Sequence, residues 1–311
     1  MMLQTFSYRK LFSHLGFCYF FLLGITMLLQ VVFMIPAMLF APAWLETDWF
    51  LWVATDMPMY CVAVPLFFLL LHRMLPKSAP APAAHRLTPA QLLSYLALGI
   101  GATYVLNFLS YLLISLISLL TQLPVTNPIE AMVSGSSILW TILFGCIVAP
   151  VGEEFIFRKA LYHKLGTLGD KCYILTGGFL FALFHGNLGQ LFYAFALGML
   201  FCYIFARTGC IWYTVFLHVA INLLGTVIAP LAMKNQTLLI IFGLCVMLCI
   251  AGGITFVALN FRKIQLSPPA CELPAHPVRT ALLSPGMLVF ALMGLAIIVT
   301  TTLSAAFQVT K

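Results

Sequence analysis

Two adjacent carboxylates, Glu153 and Glu154, and a guanidinium, Arg158, stand inside the apolar stretch APVGEEFIFRKALYHKL (149–165) of a chain with only eight acidic residues. Ionisable groups at membrane depth are costly, so each is a candidate for function. Three further polar groups share such surroundings: His185, which closes FALFH, and His218 with Asn222 in HVAIN. Glu154 and Arg158 are four residues apart with the acid first, the better order for an ion pair on one helix face. Glu153 is turned by about 100° from Glu154 and is left to face another helix. Pro150 removes a backbone hydrogen bond and is expected to kink the helix where the carboxylates begin. His218 and Asn222, also four apart, share a face and can aim donors at one point, as a developing oxyanion requires. Glu153 and His185 can hold and deprotonate a water. The competing reading is structural: a Glu–Arg pair, and His or Asn between helices, also serve as glue in membranes.

The elements that must position these groups are membrane helices. The 311-residue chain is 63% hydrophobic and 7% charged, with a mean hydropathy of +1.07. This is the composition of an all-α, polytopic transmembrane bundle rather than a soluble domain. Runs long enough to span predict about eight or nine spans: Leu15–Trp44, Trp49–Leu71, Leu92–Leu120, Ser136–Leu165, Tyr173–His185, Leu188–Ala206, Ile211–Leu231, Leu238–Phe261 and Gly286–Phe307. The fifth is short and ends on a polar residue, as a helix buried by neighbours would. At 1.5 Å per residue from the cytoplasmic end, Glu153 lies at roughly 18 Å, His185 at roughly 21 Å, His218 at roughly 11 Å and Asn222 at roughly 17 Å. All can meet near mid-membrane, on separate helices. Asp56, near Pro58, reads as an interfacial residue in a broken helix. His14, His72, His85, His163 and His276 lie at ends or in loops and read as solvated.

Sidedness follows from the cations. With the N-terminus cytoplasmic, the inner side holds 13 of the 15 Lys and Arg, leaving only Lys234 and Lys311 outside. Arg9 and Lys10 precede the first apolar run, but that run is too long for a cleaved leader and reads as a retained helix. Two Pro-rich connections, 75–87 and 264–277, fall on the inner side. The first leads into Thr88-Pro89-Ala90-Gln91, a capping box with proline at the first helical position. The nine cysteines include no C-x-x-C pair and indicate neither disulfides nor a zinc ribbon. No basic stripe alternates with aromatics, which argues against nucleic acid as a partner.

The patterns E-E-x-x-x-R (Glu153, Glu154, Arg158), F-x-x-x-H (Phe181, His185) and H-x-x-x-N (His218, Asn222), in this order on separate helices, resemble the CAAX-protease and bacteriocin-processing (CPBP, or Abi) family of intramembrane endopeptidases, which includes the type II CAAX prenyl endopeptidases. The resemblance covers about 150–222. It implies a core at 136–232, flanked by N-terminal helices (1–135) and C-terminal helices (233–311). It implies Glu153 and His185 as the water-activating residues, His218 and Asn222 as the oxyanion-stabilising pair, and Glu154 with Arg158 as a structural or substrate-orienting pair. The substrate would be a membrane-associated peptide or protein, lipidated in some relatives. The bilayer of a bacterial cell membrane is the expected setting. Glu153, His185 and His218 also make a possible His₂Glu zinc set; the residues leave zinc and metal-free water activation open, with metal-free activation preferred. A proton-coupled transporter and a non-catalytic membrane partner are the alternatives; the absence of a visible inverted repeat argues against the first.

Overall fold

The computed structural model describes residues 7–76, 82, 84–122 and 137–308, with side chains to 303. Lys77, Ser136 and Lys311, and much of the 75–87 connection, lie outside the described residues. Helices are the only regular elements among the described residues. Eight are long and apolar enough to cross a membrane: α1 (Tyr8–Phe40), α2 (Asp48–Met74), α3 (Pro89–Thr121), α4 (Ile138–Leu168), α6 (Leu188–Thr208), α7 (Ile211–Met233), α8 (Gln236–Lys263) and α10 (Pro285–Gln308, with its apolar span at Pro285–Leu303). The expected short helix is α5 (Asp170–Phe184), whose face from Tyr173 to Leu183 is buried by neighbours. The six-residue α9 (Pro277–Leu282) precedes α10. The architecture is thus the all-α polytopic bundle expected from composition.

The local signals act where the sequence places them. Thr88 caps α3 in a closed capping box: its N–H donates to Gln91 Oε1 (2.9 Å) and its Oγ1 accepts from Gln91 N–H (3.2 Å). Asn187 caps α6 by accepting from Gln190 N–H at 2.9 Å. α5 packs along α6, α6 and α8 pack along α3, and α1 runs beside α10. Small residues let membrane helices approach closely, and the α5–α6 crossing depends on this. A Cβ added at Gly198 would lie 2.8 Å from the Gly178 Cα. That approach fixes α5, and with it His185 at its end.

Pro150 opens the regular segment of α4 that carries the glutamates. α4 carries two wide, π-type turns, Thr141–Val148 and Phe155–Ala160, with this regular segment, Ala149–Glu154, between them. Such turns concentrate at functional sites, and here the glutamate pair ends the regular segment. Three successive carbonyls of the second wide turn accept side-chain donors from three different helices: Ile156 from Tyr19 Oη (3.0 Å), Phe157 from Cys202 Sγ (3.8 Å) and Arg158 from Tyr173 Oη (3.0 Å). α1, α6 and α5 thus grip α4 just beyond its carboxylates.

The basic connections gather at one end of the bundle. Lys164 Nζ donates to the Leu75 and Pro76 carbonyls at 2.8 and 3.3 Å. Leu87 N–H donates to Tyr213 Oη, and Gly209 lies against Pro82. His14, expected to be solvated, is half-buried, and its Nδ1 donates to the Met74 carbonyl at 3.0 Å. The Pro-rich segment 264–277 is strapped to the start of α5: Ser267 N–H donates to Asp170 Oδ2 (2.7 Å), Asp170 N–H to the Ser267 carbonyl (3.0 Å) and Ala270 N–H to the Thr167 carbonyl (2.8 Å).

Candidate active site

α4 delivers Glu153, Glu154 and Arg158, α5 ends at His185, and α7 supplies His218 and Asn222. Arg158 and Glu154 are both fully buried, with Arg158 Nη2 3.0 Å from Glu154 Oε1. The expected i,i+4 pair therefore forms. It is a charge contact more than an aligned hydrogen bond, since none of the three guanidinium nitrogens finds a hydrogen-bond acceptor among the described residues. Aromatic faces take up the rest of the cation: its central carbon lies 4.1 Å from the Phe181 ring centroid and 5.3 Å from that of Phe201. Stacking of this kind suits the weakly hydrated guanidinium.

Glu154 does more than neutralise Arg158. The His218 Nδ1–H donates to Glu154 Oε1 at 2.9 Å, while Nε2 of the same ring lies 3.7 Å from Glu153 Oε2, beyond a direct hydrogen bond. The two glutamates that helical rotation separates are thus rejoined through one imidazole. Their environments differ: the Glu153 side chain keeps 16% of its surface accessible, whereas Glu154 keeps none. With Nδ1 committed to a carboxylate, Nε2 is the functional end of His218. The neutral ring offers an acceptor there, the doubly protonated ring a donor.

His185 follows the last residue of α5, and its Nδ1–H donates to the Phe181 carbonyl at 2.7 Å. That bond fixes the ring and leaves Nε2 as an acceptor. The ring stands edge-on to Phe181, 4.5 Å between centroids, and the His218 ring stands edge-on to the same Phe181 at 5.8 Å. Phe181 therefore touches both histidines and Arg158. Asn222 is held one turn beyond His218, where one of its amide hydrogens goes to the Gly145 carbonyl at 2.9 Å. That bond ties α7 to the first wide turn of α4 and leaves the second amide hydrogen.

α2 also contributes to the site. Asp56 lies near the end of the regular segment Asp48–Met57, just before a wide turn at Pro58–Ala63, as expected for a broken helix. Tyr60, one turn on, donates to the Ala149 carbonyl at 3.3 Å, and its ring covers Gly152, where an added Cβ would lie 2.2 Å from Cε1. Sequence reading missed Tyr60, because a lone Tyr in an apolar run carries no spacing signal. Asp56 did carry one, being a carboxylate in a span.

Among the described residues, no three His, Cys, Asp or Glu side chains converge as a metal-ligand set. His218 Nδ1 and His185 Nδ1 are both committed elsewhere, so the Glu153/His185/His218 set would have to use the two Nε2 atoms. A cavity of about 500 Å³ lies away from this site, between Tyr8, the first turns of α5 and the strap. Its walls are mostly apolar and include none of the residues above.

Residues 135–224 match the family model described as type II CAAX prenyl endopeptidase Rce1-like. A curated relative, "Putative membrane peptidase YdiL" of Bacillus subtilis (strain 168), is 34% identical over 85 residues, which are 26% of this chain. The chain spans about a third of the length of that relative. No solved structure matches. The matched segment contains all seven motif residues, and over it the chain is similar to the type II CAAX prenyl endopeptidase Rce1-like family and to a putative membrane peptidase.

Proposed function

We propose that this multi-pass membrane protein is an intramembrane endopeptidase that hydrolyses a peptide bond in a membrane-associated protein or peptide. The observation that carries the reading is the His218 ring set between Glu153 and Glu154, with His185 on the same Phe181 ring. Glu153, the accessible carboxylate, takes a proton from a water held with His185 Nε2, and the resulting hydroxide attacks the carbonyl carbon. Charge develops on the carbonyl oxygen, which His218 Nε2–H and the second amide hydrogen of Asn222 stabilise. The C–N bond then breaks, and the proton held by Glu153 passes to the leaving amine. Arg158 and Glu154 fix the His218 ring and the α4 backbone.

In this reading 136–232 is the catalytic unit and 1–135 and 233–311 are its flanking helices. The basic end faces the cytoplasm of a bacterial cell, and the substrate is lipidated or otherwise membrane-bound. Water activation is direct. A zinc ion, if bound by Glu153 and the Nε2 atoms of His185 and His218, would supply Lewis-acid activation of the same water.

The test is cleavage of single-span peptides by purified protein in nanodiscs. Glu153→Gln and His185→Ala are expected to lose at least about 10²-fold in kcat, whereas full activity in Glu153→Gln would overturn the assignment. Metal analysis with chelator treatment separates the two modes of activation: loss on chelation with recovery on added zinc would establish the metal route. Proton-driven solute uptake in proteoliposomes would favour the transporter, and binding of membrane proteins without cleavage the silent partner.

A further inference from the structure

The cavity of about 500 Å³ beside the strap takes no part in the site above. It runs as a slot along α5. Cys172, Leu175, Thr176 and Phe179 form one of its walls, and their spacing of three and four residues makes them a single stripe of that helix. At the strapped end Gly169 lies against Pro268 and Pro269, where an added Cβ would stand 2.8 Å from the Pro269 nitrogen. At the other end stand Phe179 and Phe195, the latter with its Cδ2 3.4 Å from where a Cβ on Gly178 would lie. Gly169 and Phe179 are ten residues apart, about 15 Å along the helix. Val278 and Leu282 of α9 and Met287 of α10 make the facing wall.

The walls carry one charged side chain, the exposed Lys171, and no carboxylate. Asp170, its neighbour in sequence, is turned to the strap, where Oδ2 accepts from Ser267 N–H at 2.7 Å. Cys172 Sγ is partnered too, 3.6 Å from Tyr8 Oη. The slot is therefore long and apolar, with a cation near one end. Water gains few partners in an apolar cavity. A peptide would need acceptors and donors for its backbone, which walls this apolar do not supply. An acyl chain needs neither, and lipid surrounds a protein of this kind on every side.

The structure assigns this slot to one acyl chain of an anionic phospholipid, with the headgroup phosphate at Lys171 and the chain lying along α5 towards Phe179 and Phe195. The apolar length of the slot takes the chain, and the cation at its rim favours a net negative headgroup over a zwitterionic one. A volume of about 500 Å³ is within the range of sites that hold small molecules. No step of the peptidase reading depends on this site, and its test is a binding measurement.

The experiment places full-length protein in phosphatidylcholine nanodiscs with a trace of phosphatidylglycerol or phosphatidylcholine bearing a mid-chain diazirine. After irradiation the labelled residues are mapped by mass spectrometry. Wild type is expected to take label on the α5 stripe and on α9, displaced by unlabelled phosphatidylglycerol. Phosphatidylglycerol is expected to label the slot about fivefold more than phosphatidylcholine, the discrimination that one cation supplies, and Lys171→Gln to bring that ratio to about one. Leu175→Trp and Val278→Trp fill the slot from facing walls and are expected to lose the label there. Both should keep the label at the exposed Leu244 and Leu248 of α8, which shows that each variant is folded and inserted. Slot label that survives both tryptophans would be ordinary surface lipid and would overturn the site. So would equal labelling by the two lipids in wild type, or slot label that a single-span peptide displaces and phosphatidylglycerol does not.

Discussion

Glu154 serves two partners, the Arg158 guanidinium and the His218 Nδ1–H, and this sets the consequence of removing its charge. Breaking a buried pair by neutralising one partner leaves the other uncompensated and costs about 3–5 kcal/mol. Glu154→Gln is therefore expected to lower thermal stability markedly as well as activity, whereas Glu153→Gln is expected to remove activity with a much smaller stability loss. Parallel melting curves and cleavage rates check the contrast, and equal melting losses would contradict it. The division between the two glutamates was legible in the sequence, since a rotation of about 100° separates neighbours. The reunion through His218 was not, because it depends on where α7 packs, and spacing within α4 holds no information about that. Nor did the i,i+4 spacing of His218 and Asn222 show that Asn222 gives one hydrogen to the Gly145 carbonyl.

At the scale of elements, α4 is held by donors from three neighbours at Ile156, Phe157 and Arg158. Tyr173→Phe removes the bond from α5 and is expected to cost about 0.5–1.5 kcal/mol. Because that bond lies one turn beyond the glutamates, kcat is expected to fall with little change in KM; denaturant titration in detergent and steady-state kinetics measure the two. The α5–α6 crossing tolerates less. Gly198→Leu has no room against Gly178, and the displaced α5 would carry His185 out of reach of Glu153. A folded protein without cleavage activity is the expected result, and full activity in Gly198→Leu would show that α5 need not lie so close. The existence and shortness of α5 were readable from its apolar run and polar end. The wide turns of α4 were not, since Pro150 marks a missing hydrogen bond without saying whether the chain bends or widens.

At the scale of the molecule, the eight long apolar helices among the described residues surround a core to which α4 and α7, with the short α5, contribute the motif residues. The sequence located this core because its charges are rare in an apolar chain, and rarity makes each one conspicuous. It left Tyr60 of α2 unread, because only packing sets that ring on Gly152 beside the glutamates. Connections counted on one side are joined by hydrogen bonds, Lys164 to Leu75, Leu87 to Tyr213 and Ser267 to Asp170. Cysteines introduced singly at Ser267 and Asn235, in a background made otherwise cysteine-free, are expected to label from opposite sides of sealed vesicles with an impermeant reagent. Labelling from the same side would contradict the sidedness.

The strap that ties 264–277 to Asp170 turns α5 into a ruler. One end of the ruler is pinned at the bundle's basic end, and the other carries His185. The fifteen residues of α5, counted from the pinned Asp170, set how far the imidazole reaches towards mid-membrane. Lengthening α5 by one alanine would swing His185 by about 100° and advance it by about 1.5 Å, enough to take it off Glu153. The same insertion between Cys271 and His276, beyond the pinned point, would leave that distance alone. Activity lost in the first variant and kept in the second would mark a graduated length, held at one end, as what places the histidine.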